Sequence, residues 1–177
     1  MRPHISTGVL AVVLASGLAL VPMDPALSQA RIALSGGVAA PVSELSDVVD
    51  MGYNVAVGVN LGGARIPIGA RIEGGLNGFN FKNTNEDVRI LNATANAIVN
   101  LGNQDGSPYV IGGLGIYNSK FADTDSENAF GLNLGGGLRF PLGRFNTFFE
   151  ARYHYAFGDQ EEAKNLQFIP ITFGVVF

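Results

Sequence analysis

Six ionisable residues stand at strand-like spacing in three stretches of the chain: Arg71 and Glu73 in "IGARIEGGLNGFNF", Arg139 in "AFGLNLGGGLRFP", and Glu150, Arg152 and His154 in "TFFEARYHYAF". Residues two apart share one face of an extended strand, so Arg71 lies with Glu73, and Glu150 lies with Arg152 and His154. A carboxylate and an imidazole four residues apart are a possible acid–base pair. Covalent catalysis also needs a nucleophile held against the base, and nothing in the sequence supplies one beside His154. The chain has no cysteine, which removes thiolate chemistry, thiolate metal sites and disulfides together. Asp123, Asp125 and Glu127 in "DTDSENAF" have the spacing that opens a calcium loop. Asn128 takes the place of the required glycine and Leu134 that of the closing glutamate, which excludes an EF-hand. The glycines form neither a dinucleotide nor a P-loop fingerprint. No catalytic residue, metal site or cofactor is expected.

The elements that would hold these charges must come from a chain of 177 residues, enough for one domain. It is 47% apolar and only 15% charged, against roughly 25% charged in soluble domains. A net charge of −4 gives no basic footprint, and nucleic acid is not an expected partner. The first thirty residues combine Arg2, an apolar run from Gly8 to Val21 and the small-residue site Ser28-Gln29-Ala30. That is the tripartite form of a secretory signal peptide, too short to span a bilayer as a helix. Residues 1–30 are therefore expected to be a cleaved signal and residues 31–177 the mature domain. No cysteine follows the apolar run to carry a lipoprotein anchor.

Beyond the signal the sequence alternates in segments of roughly ten residues, the length of tilted transmembrane strands. "RIALSGGVAAP" sets Ile32, Leu34 and Val38 against Ala33, Ser35, Gly37 and Ala39. "YNVAVGVNLG" sets Tyr53, Val55, Val57, Val59 and Leu61 against Asn54, Ala56, Gly58 and Asn60. The third segment opposes Ile68, Ala70, Ile72 and Leu76 to Arg71, Glu73 and Asn77. The fourth, "RILNATANAIVNL", opposes leucine, alanine and valine to Asn92, Thr94, Asn96 and Asn100. The fifth, "PYVIGGLGIYN", is apolar or glycine on both faces and gives no clear sense of direction. The sixth and seventh alternate again around Asn133 and Arg139, and around Glu150, Arg152 and His154. The eighth, "NLQFIPITFGVVF", ends the chain with Ile169, Ile171, Phe173, Val175 and Phe177 on one face. Pro170 cannot donate to a strand ladder, which predicts a bulge or a strand end there.

The connections alternate as well. "VSELSDVVDM", "KNTNEDV", "SKFADTDSEN" and "GDQEEAKN" hold 11 of the 15 acidic residues and read as solvated loops. "GGAR", "GNQDGS" and "LGRFN" are tight turns. Long loops outside and short turns on the periplasmic side are the asymmetry of a membrane barrel. Two aromatic girdles are expected, with Tyr53, Tyr117, Phe130 and Phe157 near the acidic-loop ends. Tyr109, Phe140, Phe145, Phe149 and Phe177 would form the other.

Signal, eight alternating segments and terminal aromatic together resemble the small outer-membrane β-barrel proteins of Gram-negative bacteria, the OmpA/OmpX-like and opacity-type group. The resemblance implies an all-β, eight-stranded antiparallel up-and-down transmembrane barrel in the outer membrane. It also implies that Phe173, Val175 and Phe177 form the C-terminal signal read by the barrel assembly machinery. Thr172 and Pro170 depart from the family's pattern of a glycine and a polar residue at those places. An eight-stranded barrel is narrow enough for side chains to fill it. Arg71, Glu73, Arg139, Glu150, Arg152 and His154 are thus expected to pair as a charged plug, since an unpaired charge there is costly. The expected role is structural or surface interaction, adhesion-like, by a monomer in contact with outer-membrane lipid and lipopolysaccharide. The alternative is a small porin-like channel for water, ions or minor solutes. A soluble lipocalin-like carrier would need the apolar face inward. A likeness to the eight-stranded outer-membrane lipid A deacylases would imply a serine two places after the histidine, where this chain has Ala156.

Overall fold

Strand alternation carries through the chain as eight strands: β1 (Arg31–Pro41), β2 (Gly52–Leu61), β3 (Ile68–Asn80), β4 (Asp87–Asn100), β5 (Pro108–Phe121), β6 (Glu127–Leu142), β7 (Phe145–Ala156) and β8 (Leu166–Val176). One short helix, α1 (Glu44–Val48), follows β1. The structure is a computed structural model and describes residues 30–62, 68–82, 86–102, 106–121, 126–143, 145–158 and 165–177. The expected signal segment, Asp123, Asp125 and most of the tight-turn and outer loop tips lie outside the described residues.

Every strand pairs antiparallel with its sequence neighbours, and β8 closes on β1. The ring is staggered. From Arg31, successive partners are Asn60, Arg71, Asn96, Gly113, Asn133, His154 and Phe168, and the circuit returns to β1 at Pro41 rather than Arg31. That stagger is what tilts strands against a barrel axis and fixes its bore. At the tight-turn end, Gly62 and Gly106 take φ of 90° and 92°, a backbone that a side chain would resist.

Residues facing outward are apolar and exposed, from Ile32 and Leu34 on β1 through Val55, Val57, Leu114, Leu132 and Leu134 to Phe173 on β8. Phe130 is 72% exposed, as befits a surface made for lipid. Polar residues turn inward instead, Asn54, Asn60, Arg71, Glu73, Asn92, Asn96, Asn133, Glu150, Arg152 and His154 all being buried. The faces are therefore those of a membrane barrel and the reverse of a soluble carrier.

Three expectations are corrected. Tyr109 and Tyr117 do not join the girdles; they are 2% and 1% exposed and point into the lumen. On β5 they share a face with buried Ile111 and Ser119, which makes that face the inner one. The first acidic connection is not a free loop. It folds as α1 and presses Leu45 and Val49 into the mouth of the barrel against Phe79, Val88, Ile90 and Phe168. Backbone bonds from Asp50 to Asn80 and from Lys82 to Val48 fasten it, and Lys82 Nζ donates to the Ser46 carbonyl at 2.6 Å. Pro170, finally, lies within β8, buried and paired with Ala39 of β1. The β7–β8 register runs through Ala151–Ile171, lapses at Arg152 and Tyr153, and resumes at His154–Phe168. The missing proline donor is accommodated by that local gap rather than by a strand end.

Candidate functional site: a charged layer within the lumen

β3 and β7 stand opposite each other in the ring, four strands apart either way, and both run in the same direction. β3 carries Arg71 followed by Glu73, and β7 carries Glu150 followed by Arg152. Each cation therefore meets an anion across the lumen. Arg71 Nη1 donates to the two Glu150 carboxylate oxygens at 3.0 and 3.1 Å, and Arg152 Nη2 pairs with Glu73 Oε1. Same-strand contacts complete the square: Arg152 Nε to Glu150 at 2.8 Å and Arg71 to Glu73 at 3.5 Å. All four are 5% exposed or less. Two positive and two negative charges balance, which is the condition for keeping ions inside a wall of low polarity.

Neutral groups complete the layer. Tyr109 Oη donates to Glu150 at 2.5 Å, and Arg71 Nε donates to Asn60 Oδ1 at 2.7 Å. Asn96 bonds to Thr94 Oγ1, accepts from Asn133 at 2.8 Å, and donates to the Arg71 carbonyl. Nearer the long-connection end, a second string runs Asn54–Asn77–Asn92 at 2.7 and 3.0 Å. Glycines clear the space. A Cβ at Gly135 would strike Arg152, and one at Gly174 would enter the Phe148 ring. The room thus comes from β6 and β8 beside the bulky groups, and from Gly58 on β2 beside Glu73.

Two of the six predicted lumen residues stand apart from the square. Arg139 is half-buried at the tight-turn rim, bonded to Asn100 at 2.7 Å and laid over the Tyr109 ring at 4.7 Å. Its place on β6 is level with the turn, where its backbone N–H meets the Ser107 carbonyl. His154 is fully inside but bonds to Tyr117 Oη through Nδ1 at 2.8 Å and stacks on Phe168, centroids 4.9 Å apart. Tyr109 and Tyr117 were missed by sequence reasoning. Their shared parity with Ser119 and with Gly113 and Gly115 was the available signal. Phe148, under the Arg71 guanidinium at 4.7 Å, was missed too.

Apolar side chains lie on either side of this polar layer. Toward the long connections lie Leu45, Val49, Phe79, Val88, Ile90 and Phe168. Toward the tight turns lie Ala33, Ile98, Ile111, Phe148 and Val176, with the Tyr109 ring. Among the described residues no three His, Asp or Glu side chains gather as metal ligands.

Residues 8–177 match the family defined by the outer membrane protein beta-barrel domain. The chain belongs to this family. It is an integral protein of the bacterial outer membrane, and its lipid-facing belt and closed ring of strands are those of an outer-membrane barrel. Among solved structures, the Neisserial surface protein A is 15% identical, with a TM-score of 0.67 over 83% of this chain and 95% of that one. Ail, the attachment invasion locus protein of Yersinia pestis, solved in complex with the heparin analogue sucrose octasulfate, is 18% identical over 84% and 99% of the two chains, with a TM-score of 0.49. The N-terminal beta-barrel domain of Pseudomonas aeruginosa OprF is 16% identical over 84% and 96%, with a TM-score of 0.47. No curated protein matches the chain in sequence. The likeness to the Neisserial protein, at 15% identity and a TM-score of 0.67, speaks for the fold alone.

Proposed function

We propose that this outer-membrane barrel is a non-conducting, non-enzymatic protein with a structural and surface-interaction role, presenting its long acidic connections outward. The observation that carries the reading is the layering of the lumen. A balanced charge square lies between two apolar clusters, which supports a filled barrel without a continuous polar path from end to end. Ions cross a narrow pore only where polar groups or water line the whole route. His154, held between Tyr117 and Phe168, has a structural set of contacts and, among the described residues, no serine or threonine hydroxyl bonded to it, which supports a non-catalytic role.

The deciding experiment is conductance in planar bilayers. The purified protein is expected to give no stepwise current at any salt concentration. Regular steps in the parent would replace this reading with that of a small channel. Orientation is tested separately, by protease added to intact cells. Cleavage confined to the long-connection side supports loops outward, and cleavage confined to the tight turns reverses the topology.

A further inference from the structure

On the lipid-facing wall at the long-connection end, Tyr53, Gly78, Arg89 and Lys120 follow one another as register partners across β2, β3, β4 and β5. Arg89 and Lys120 are both exposed, the Arg89 side chain 66% so, and they are direct cross-strand neighbours. Like charges placed directly opposite are destabilising in a sheet. Asp87, two residues before Arg89, answers only part of this at 3.8 Å. Gly78 adds no side chain, and the half-exposed Tyr53 ring lies over it, since a Cβ there would strike the ring. One step further toward the middle, β2, β3 and β4 present Val55, 55% exposed, with Leu76 and Leu91, and β5 presents Asn118 followed by Ile116, 40% exposed. Two adjoining cations and an aromatic ring therefore sit at the boundary between an apolar belt and water, on a chain whose net charge is −4.

We infer that Arg89 and Lys120, flanked by Tyr53, form a binding site for the phosphate of a phosphorylated glycolipid in the leaflet surrounding the barrel. Guanidinium and ammonium groups complement a phosphate dianion, and the anion removes the repulsion that the register imposes. Acyl chains of the same lipid would lie along the apolar strand faces below. A free phosphate could use the cations but not that apolar surface, which favours the lipid as the ligand. The site rests on the long-connection end facing the leaflet that holds such lipids.

The test uses the full-length protein folded into phosphatidylcholine vesicles, alone or with lipid A carrying its phosphates, and with lipid A stripped of them. Phosphorylated lipid A should raise the midpoint of heat unfolding, read by gel mobility, and dephosphorylated lipid A should not. In Arg89→Gln/Lys120→Gln the rise should vanish, with apparent lipid affinity falling about fivefold per cation removed. Lys120→Gln alone should show half of the effect on a logarithmic scale, which keeps the test open if the double variant folds poorly. An equal rise in the variants, or with dephosphorylated lipid, would overturn the site. A rise with inorganic phosphate in plain phosphatidylcholine would overturn the lipid as its ligand. Vesicles carry the lipid in both leaflets, so these outcomes are independent of orientation, which the protease experiment decides by itself.

Discussion

Arg71 on β3 holds both carboxylate oxygens of Glu150 on β7 from a single guanidinium nitrogen, at 3.0 and 3.1 Å across the lumen. The same carboxylate also accepts from Arg152 and from Tyr109, so Glu150 is the hub of the layer. Removing it leaves two guanidinium groups to share the single carboxylate of Glu73.

Glu150→Gln should accordingly lower unfolding stability by about 3–5 kcal/mol, the usual effect of breaking a buried pair. Urea titration of the protein in vesicles, followed by circular dichroism, measures it. Asp87→Asn, at the exposed 3.8 Å pair with Arg89, should shift stability by less than about 1 kcal/mol. The double change Arg71→Met with Glu150→Leu should recover much of the loss, because it removes both charges together. A double variant as unstable as Glu150→Gln would show that the ions are not acting as a pair.

A different mutation tests how the bulky lumen groups are housed. Gly174→Ala places a methyl group in the Phe148 ring, and should cost about 1–3 kcal/mol as overpacking. Combining it with Phe148→Leu should return part of that stability. Gly143→Ala, where nothing lies near the added carbon, separates crowding from backbone strain, since Gly143 has φ 62°.

The folded first connection makes a prediction about proteolysis. With Leu45 and Val49 buried and Lys82 bonded to Ser46, residues 42–51 should resist a protease that attacks extended chain. Leu45→Asp should expose them, giving a new cut within 42–51 while gel mobility of the barrel is unchanged. A parent cut there as fast as the variant would mean that α1 leaves the mouth readily.

At the end of the chain, Phe177 donates its backbone N–H to the Ile32 carbonyl at 2.8 Å and sets its ring edge-on to Phe145, centroids 5.5 Å apart. Phe173 lies outward against Phe140 on the same side. Phe177→Glu should reduce the inserted, heat-modifiable form in cells several-fold, beyond what its loss of stability in purified form explains. Equal loss in cells and in refolding from urea would reduce its role to a lipid contact.

Much of this architecture was legible because parity on a strand has only two values. Asn54 through Asn60 on β2, and Arg71 and Glu73 on β3, announce an inner face by alternating with valine and isoleucine. β5 did not, because apolar residues and glycine on both faces leave no polar contrast, and its two tyrosines fall on the inner face rather than in the girdles. Chain order also carried no information on which charge meets which. That Arg71 meets Glu150 follows from strand count and stagger, which only the closed ring supplies. α1 was hidden by its charges, since Glu44 and Asp47 mark a soluble loop while the single turn between them buries Leu45. Arg139 shares the parity of the lumen but stands beyond its end, a matter of height along the axis that alternation does not record.

The reversed order of charge on β3 and β7 has a bearing on how the ring is put together. Apolar–polar alternation detects a slip of one residue, because every side chain would change sides. A slip of two residues passes unnoticed by that criterion, since each side chain keeps its side. The square does notice it. Sliding β7 one way brings Arg152 level with Arg71, and sliding it the other way brings Glu150 level with Glu73. Either displacement sets like charge against like among buried side chains. The layer is thus a checksum on assembly, specifying which of several equally amphipathic alignments is the one that closes.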